Sequence, residues 1–210
     1  MLYECDNCGA YLGVGVHCVS CEQARRGGPE FESKLFLLEQ ERAKRLAWLD
    51  GLGRRAIIGL VGCGKAKRDG IWPARDLYVG SLFHMSLRYA EATCDETYIL
   101  SAQHRLINLD TQIESYDYSL YDLRLGDRYE WGLGVTNRLN TKFPDDMPLT
   151  FRILAGNGYI QPLRQAFETF PDRPWFLETP LMGLSLFGRL AWFRDALRRW
   201  PCEEGTGCAC

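Results

Sequence analysis

Residues 56–68 of the chain read AIIGLVGCGKAKR. The first six contain five apolar residues and one glycine, a pattern typical of a short strand buried on both faces of a parallel sheet. The last seven contain two glycines, a thiol and three cations. In an open α/β sheet, ligands bind beyond the carboxyl ends of the strands. This stretch therefore predicts a central strand and, directly after it, a turn that can contact a ligand.

The rest of the chain continues with alternating strand-like and helix-like segments. We predict strands at Ala56–Val61, Thr97–Leu100, Leu149–Leu154 and Trp175–Glu178. We predict helices at Ser81–Ala92, Asp127–Lys142, Ile160–Thr169 and Leu186–Trp200. Because strands and helices alternate, the predicted fold class is α/β: an open, mostly parallel sheet of about four strands flanked by helices.

The composition is that of a folded globular protein. The 210 residues are 46% hydrophobic and 25% charged, and the net charge is −2, which by itself requires neither a nucleic-acid nor a membrane partner. No stretch approaches 18 consecutive apolar residues, so we expect no membrane span. The first residues show no basic segment followed by an apolar run, so we expect no secretory signal and a cytoplasmic location.

Four of the nine cysteines are spaced as metal ligands. Cys5 and Cys8 form one C-x2-C pair, and Cys18 and Cys21 form a second pair after nine intervening residues. Four thiolates complete a tetrahedral shell around Zn²⁺ and leave no open position for a catalytic water. We therefore predict a structural zinc ribbon over residues 1–25, with folding energy supplied by the metal. The alternatives are a chance cluster of cysteines and a redox pair.

The region that follows the predicted ribbon is basic. Residues 30–50 contain no Gly or Pro and carry an apolar stripe, so we predict a linker and a basic amphipathic helix over residues 26–53. Between Lys34 and Arg68 there are nine basic and three acidic residues, a net charge of +6. This segment is either a solvated helix face or a surface that tracks phosphates. We assign residues 54–200 to the α/β domain and residues 201–210 to a flexible tail that contains Cys202, Cys208 and Cys210.

The turns after the first and third predicted strands carry candidate ligand-binding groups. Residues 62–68 can hold a phosphate on backbone N–H groups, with Lys65 and Lys67 nearby, although the P-loop pattern is absent. Cys63 is a nucleophile, a ligand or a small buried residue. After the third strand, Asn157 and Tyr159 lie in a glycine-containing turn that is expected to expose an amide and an aromatic ring at a pocket mouth.

The turns after the second and fourth predicted strands are also polar. His104 is followed by several carboxylates, among them Asp110 and Asp117, which would favour the charged form of the imidazole and make an acid–base site. The alternative is a histidine with surface acids in an ordinary loop. Residues 178–185 precede the last predicted helix, so the N–H groups of that helix can point at an anion.

Several of these motifs together resemble a known family. Residues 62–67 (GCGKAK), 73–83 (PARDLYVGSLF), 98–107 (YILSAQHRLI) and 113–117 (IESYD) resemble an uncharacterised family of phage and bacterial proteins that is similar to the YaaA peroxide-stress proteins. The resemblance covers roughly Ala56 to Trp200 and leaves out the predicted zinc ribbon. The same core is distantly similar to the uracil-DNA-glycosylase-like fold, which implies a nucleobase substrate. That fold carries a carboxylate in its first loop, where this sequence has Cys63 and Lys65.

The resemblance implies a DNA glycosylase-like enzyme that cleaves the N-glycosidic bond of a modified nucleobase. Such enzymes extrude the base into a pocket and stabilise positive charge on the sugar. Asp110 or Asp117 would position the water or the cation, and His104 would polarise the leaving base. Asn157 would read the base edge and Tyr116 or Tyr159 would stack on it. The substrate-binding set implied is Cys63, Lys65, Lys67, Arg75, Tyr116 and Tyr159, with DNA a more expected partner than RNA.

Two other functions fit the same residues. The first is a non-catalytic zinc-ribbon protein that binds nucleic acid in a stress or anti-phage response, which needs only the ribbon and the basic segment. The second is a transferase that builds a modified base and uses Lys65 or Cys63 as the covalent group. Substitutions in the pocket discriminate between these readings, because a protein that only binds would not respond to them.

Overall fold

The structure is a computed structural model that describes Leu2–Glu4, Tyr11–Gly13, six single helical positions between residues 36 and 51, and residues 55–199. The predicted zinc ligands Cys5, Cys8, Cys18 and Cys21, most of the predicted helix within residues 26–53, and the tail at 201–210 lie outside the described residues. Leu2–Glu4 and Tyr11–Gly13 pair as antiparallel strands, with Glu4 opposite Tyr11. The segment that carries Cys5 and Cys8 connects these two strands in the sequence.

Besides these single helical positions, the described residues contain nine strands and five α-helices with given bounds. The strands are β1 (Leu2–Glu4), β2 (Tyr11–Gly13), β3 (Ala56–Gly62), β4 (Ile71–Pro73), β5 (Glu96–Ser101), β6 (Arg105–Asn108), β7 (Gln112–Glu114), β8 (Leu149–Leu154) and β9 (Trp175–Glu178). The helices are α1 (Ala74–Leu77), α2 (Ser81–Thr93), α3 (Leu125–Lys142), α4 (Asn157–Phe167) and α5 (Leu186–Arg199), with a 3₁₀ turn at Leu120–Asp122.

The central sheet has five strands in the order β6-β5-β3-β8-β9. The last four are parallel to one another, and β6 pairs antiparallel with β5 at one edge. The predicted α/β class and mostly parallel sheet are confirmed. The prediction of about four strands missed β6, which follows β5 after a turn of only three residues. A separate antiparallel pair joins β4 to β7.

Both faces of the sheet are buried, which explains why β3 is apolar along its whole length. On one face, Ile58 and Leu60 pack in a core cluster with residues of α3 and α4. On the other face, Val61 packs in a second cluster with residues of α2 and α5. Because side chains alternate along a strand, a strand covered by helices on both sides needs apolar residues at odd and even positions.

No helix in the described ranges is long and apolar enough to cross a membrane.

The contact between α3 and α4 depends on one glycine, which gives a test of the packing. A Cβ at Gly132 would lie 2.5 Å from the carbonyl oxygen of Pro162, so Gly132→Ala forces the two helices apart. We expect this substitution to lower the free energy of unfolding by about 2 kcal/mol, measured by urea denaturation. The control is Gly126→Ala in the same helix, where a Cβ meets nothing within 4 Å. That change should raise stability by about 0.5 kcal/mol, and equal effects of the two changes would contradict the packing.

Candidate functional site

A cavity of about 350 Å³ lies beyond the carboxyl ends of β3 and β8, at the position that the α/β pattern predicts. Main-chain and side-chain atoms from five parts of the chain meet there. Its walls are Gly62–Ala66 after β3, Gly80, Leu82, Phe83 and Ser86 around the start of α2, Leu154–Gly156 at the end of β8, Tyr121 and Tyr159, and Leu181, Leu186 and Arg189. None of the described residues that line this cavity is an Asp or a Glu.

Cys63 and Tyr159 form a hydrogen-bonded pair in this cavity. The Sγ of Cys63 lies 3.1 Å from the hydroxyl oxygen of Tyr159, and the backbone N–H of Cys63 donates to the carbonyl of Leu100. The Tyr159 ring is fixed by an edge contact with Trp131. Burial, followed by the proximity of Cys63, raises the pKa of Tyr159, so its hydroxyl stays protonated at neutral pH. A thiolate at Cys63 would therefore have an O–H donor in place.

Two glycines bring Tyr121 and Arg189 against the first turn of α4. A Cβ at Gly156 would lie 2.9 Å from Nη1 of Arg189, and one at Gly158 would lie 2.7 Å from the Tyr121 ring. The N-terminus of a helix carries a partial positive charge, and the Arg189 guanidinium adds a full one. The Nε of Arg189 is buried and has no hydrogen-bond partner among the described residues. Lys65, on the turn after β3, also lines the cavity, so the cavity favours an anion.

A second polar cluster lies next to Cys63 and connects Ser101 with two tyrosines. The hydroxyl of Tyr116 is 2.8 Å from that of Tyr78 and 2.8 Å from Oγ of Ser101, which also accepts the backbone N–H of His104. Nζ of Lys67 lies 4.2 Å from the centroid of the Tyr116 ring. Burial and then the nearby Cys63 raise the pKa values of Tyr78 and Tyr116, so both hydroxyls stay protonated.

Three of the predicted site residues line the cavity. Cys63, Lys65 and Tyr159 line it. Lys67 and Tyr116 do not line it and belong to the cluster with Ser101, where the Tyr116 ring is in contact with Lys67 and, edge to face, with His104.

The remaining predicted binding and acid–base residues lie elsewhere. Arg75 pairs with two carboxylates, with its Nε 3.1 Å from Asp110 and its Nη2 3.4 Å from Glu91, and its role as a phosphate ligand stays a prediction. The Asp110 side chain is 85% exposed, and Asp117 is exposed too. Neither carboxylate lines the cavity, and their catalytic roles stay predictions.

Asn157 differs from its predicted position. It is the first residue of α4, not part of an exposed turn, and it is only 6% exposed. Its Oδ1 is buried with no hydrogen-bond partner among the described residues. Gly156 and Gly158 suggested a turn because glycine is disfavoured in helices, but here both positions make room for side chains from other elements. The sequence analysis did not identify Arg189 or Tyr121 as site residues. The two glycines leave room for these side chains, but their occurrence in the sequence was interpreted as a turn.

The comparison with protein families gives a match to this chain. A protein-family model, DUF6884, described as a family of unknown function, matches residues 58–195, which include both the cavity and the cluster around Ser101. No curated protein and no solved structure matches the chain. Among the described residues, no group of three or more His, Cys, Asp or Glu side chains is placed to hold a metal ion.

The predicted charge state of His104 is corrected by its surroundings and can be measured. Carboxylates were expected to favour the imidazolium, but burial and then the positive charge of Arg138 lower the pKa of His104. Arg138 Nη1 donates to the carbonyl oxygen of His104, which brings the guanidinium beside this residue. We expect NMR titration to place this pKa below about 6.5. The contribution to stability is present above the unfolded pKa and is lost as pH falls towards the folded one. A pKa above 6.5 would restore the carboxylate interpretation.

Proposed function

We propose that this chain, which belongs to the family of unknown function DUF6884, binds a nucleotide in the cavity and modifies its base through Cys63. The observation that carries the proposal is the Cys63–Tyr159 pair, 3.1 Å apart, in a cavity that is also lined by Arg189 and by the first turn of α4, to which Tyr159 belongs. A nucleotide has the matching chemistry, because it joins an anionic phosphate to a planar, partly apolar base.

The positive groups of the cavity support the binding of the nucleotide's phosphate. Arg189 and the first turn of α4 are both positive and lie against each other, and Gly156 is the residue that permits their approach. Two positive groups in contact repel unless an anion lies between them or they are well solvated. A phosphate that accepts from the α4 N–H groups and from Arg189 would satisfy both.

The apolar residues that line the cavity support the binding of the nucleotide's base. Phe83, Leu154 and Leu181 are buried apolar residues that line the cavity, and Tyr159 adds an aromatic ring with a hydroxyl. Ligand pockets are typically apolar cavities of roughly 300 to 1,000 Å³ with a few fixed polar groups. At about 350 Å³ the cavity has room for one nucleotide.

The chemistry follows from the position of the thiol. The Cys63 thiolate would add to one carbon of a ring C=C bond of the base, so that an S–C bond forms and the π electrons move to the adjacent carbon, as a carbanion conjugated with a ring carbonyl. That carbon would attack an electrophilic alkyl donor, so that a C–C bond forms while the bond from the donor to its leaving group breaks. Loss of the proton on that carbon to a water returns the electron pair to the ring, which restores the C=C bond and expels the Cys63 thiolate, with the Tyr159 hydroxyl as its hydrogen-bond donor.

This mechanism is preferred to N-glycosidic cleavage because of what surrounds the cavity. Glycosylases stabilise positive charge on the sugar with a carboxylate, and no described lining residue is an Asp or a Glu. The geometry therefore favours the transferase hypothesis. The glycosylase hypothesis, the similarity to YaaA and the uracil-DNA-glycosylase-like fold, and the role as a non-catalytic nucleic-acid-binding protein stay hypotheses. Free base released from modified DNA would favour the first of these over our proposal.

Structural zinc remains part of the proposal. It rests on the two C-x2-C pairs in the sequence, and it is supported by the pairing of β1 with β2 on either side of the first pair. A C-x2-C pair is a common element of four-cysteine zinc modules. The ion would stabilise the N-terminal segment and take no part in the reaction at Cys63.

A thiol-reactive base tests the placement of Cys63. In a 6-chloropurine nucleoside monophosphate, a thiolate displaces chloride at C6, so an S–C bond forms as the C–Cl bond breaks. We expect intact-mass and peptide analysis to find Cys63 labelled and Cys94, the other half-buried cysteine of the described residues, unlabelled. Burial raises the pKa of Cys94, which disfavours its thiolate. Tyr159→Phe should slow the labelling at least tenfold, since the proton donor is lost.

The controls for this experiment are Cys63→Ser, which should abolish the label, and Cys94→Ser, which should leave it unchanged. Equal labelling of Cys63 and Cys94, or a rate at Cys63 no higher than that of a small free thiol, would show that the cavity does not place a base at this thiol.

Arg189 provides a separate test of the phosphate end. We expect Arg189→Gln to weaken binding of a nucleoside monophosphate by about tenfold, measured by calorimetry, because one charged hydrogen bond is lost. Binding of the corresponding nucleoside, which lacks the phosphate, should change little. Arg198→Gln is the matched control, since Arg198 lies in the same helix and its side chain is 79% exposed. Equal losses for the nucleotide and the nucleoside would contradict the assignment of Arg189 to the phosphate.

A further inference from the structure

Residues 65–68 form a segment that leads from the cavity to the surface. Lys65 lines the cavity, and Nζ of Lys67 donates to its carbonyl oxygen. Lys67 forms a β-bridge with Tyr78, and the N–H of Arg68 donates to Leu77 over 2.8 Å. Residues 65–68 are therefore held against the rest of the domain by main-chain hydrogen bonds, and Lys65 and Arg68 are exposed along them.

This segment is followed by an exposed tryptophan, Trp72, whose ring is held by a hydrogen bond. Gly70 has φ +92°, a conformation that favours glycine, and it turns the chain into β4. Trp72 pairs with Ile113 in the β4–β7 ladder, and its indole N–H donates to the carbonyl of Asp69. Trp72 is 38% exposed, and the guanidinium of Arg68 lies 5.1 Å from the centroid of its ring. We refer to Lys65, Lys67, Arg68 and Trp72 as the cationic strip.

We propose that the cationic strip binds a single-stranded nucleic acid and so presents one of its nucleotides to the cavity. The proposal rests on the proposed function only for the nucleotide in the cavity; the strip itself is argued from its own residues. Three cations and one acid, Asp69, lie between residues 65 and 72, which suits a phosphate backbone. A fixed, exposed indole beside a guanidinium suits the stacking of a base.

A single strand fits this surface better than a duplex does. Bases reach an aromatic ring by stacking only when they are unpaired, and paired bases in a duplex present their edges to a protein instead. The cavity has room for one nucleotide, so a neighbouring nucleotide of the same strand must lie outside it. The cationic strip begins at Lys65 in the cavity wall and extends along the chain to Trp72, which gives that neighbour a place to lie.

The electrostatic part is tested by salt dependence. Fluorescence anisotropy of a labelled 15-nucleotide single strand, titrated with the full chain at several salt concentrations, gives the slope of log K against log salt. Lys67→Gln and Arg68→Gln should each reduce that slope by about 0.7, the value for one phosphate contact on a single strand. Lys142→Gln is the matched control, because Lys142 also lies over a tyrosine ring, 5.0 Å from the Tyr98 centroid. Lys142 is the last residue of α3, which leads to the amino end of β8, whereas the cavity lies at the carboxyl end of that strand. Lys142→Gln should leave the slope unchanged.

The stacking part is tested at Trp72. We expect Trp72→Ala to weaken single-strand binding about tenfold and Trp72→Phe to retain most of it. Circular dichroism and thermal melting show whether Trp72→Ala is folded. Should it unfold, Trp72→Phe and the slopes of the charge variants still decide the proposal. Duplex DNA of the same sequence should bind more weakly than the single strand and should not respond to Trp72→Ala.

The outcomes separate this proposal from the proposed function. If Trp72→Ala slows labelling of Cys63 by a 6-chloropurine oligonucleotide but not by the free nucleotide, both proposals are supported. If single-strand affinity is unaffected by the strip variants, or the duplex binds as tightly, the strip proposal is overturned even where the free nucleotide still labels Cys63. If the strip variants weaken single-strand binding while Cys63 is never labelled, the strip is supported and the proposed function fails.

Discussion

The site depends on the close approach of two parallel strands at their carboxyl ends. Val61 pairs with Leu154, and a Cβ on Gly62 would lie 2.8 Å from that of Ala155. Small residues are needed at this point because β3 and β8 lie side by side and then separate. The chain continues from β3 into the turn at Cys63 and from β8 into α4. With both faces of the sheet covered by helices, the gap that opens between the separating chains is where a ligand reaches the strand ends.

The strands and helices of the α/β domain were predicted well because their signals are local. The bounds of β8 and β9 match the prediction at both ends, and the predicted α2, α3 and α5 agree within two residues. The edge strand β6 was missed because of its turn. Arg105 begins β6 at φ +64°, in the left-handed region where glycine or asparagine is usual, so nothing in the sequence indicates the reversal.

The cavity was only half predictable, because its key contacts join residues far apart in the chain. Cys63 and Tyr159 were both candidates from their own turns, but 96 positions separate them, and their pairing follows from the register of β3 with β8. His104, Asp110 and Asp117 are close in the sequence and suggested a single site. In the structure the chain reverses after β5 into β6, and Asp110 meets Arg75 instead of the cavity.

The anion end has an energetic consequence for the whole domain. Arg189 and the positive end of α4 lie in contact, and Nε of Arg189 has no hydrogen-bond partner among the described residues. Under the proposed function, a phosphate would lie between these two positive groups and accept hydrogen bonds from both. A ligand that binds only the folded state stabilises it by about 2.7 kcal/mol when present at 100 times its dissociation constant. The proposed nucleotide should therefore raise the stability of the whole domain, because the groups that would hold it come from strand ends and helices that the two core clusters join.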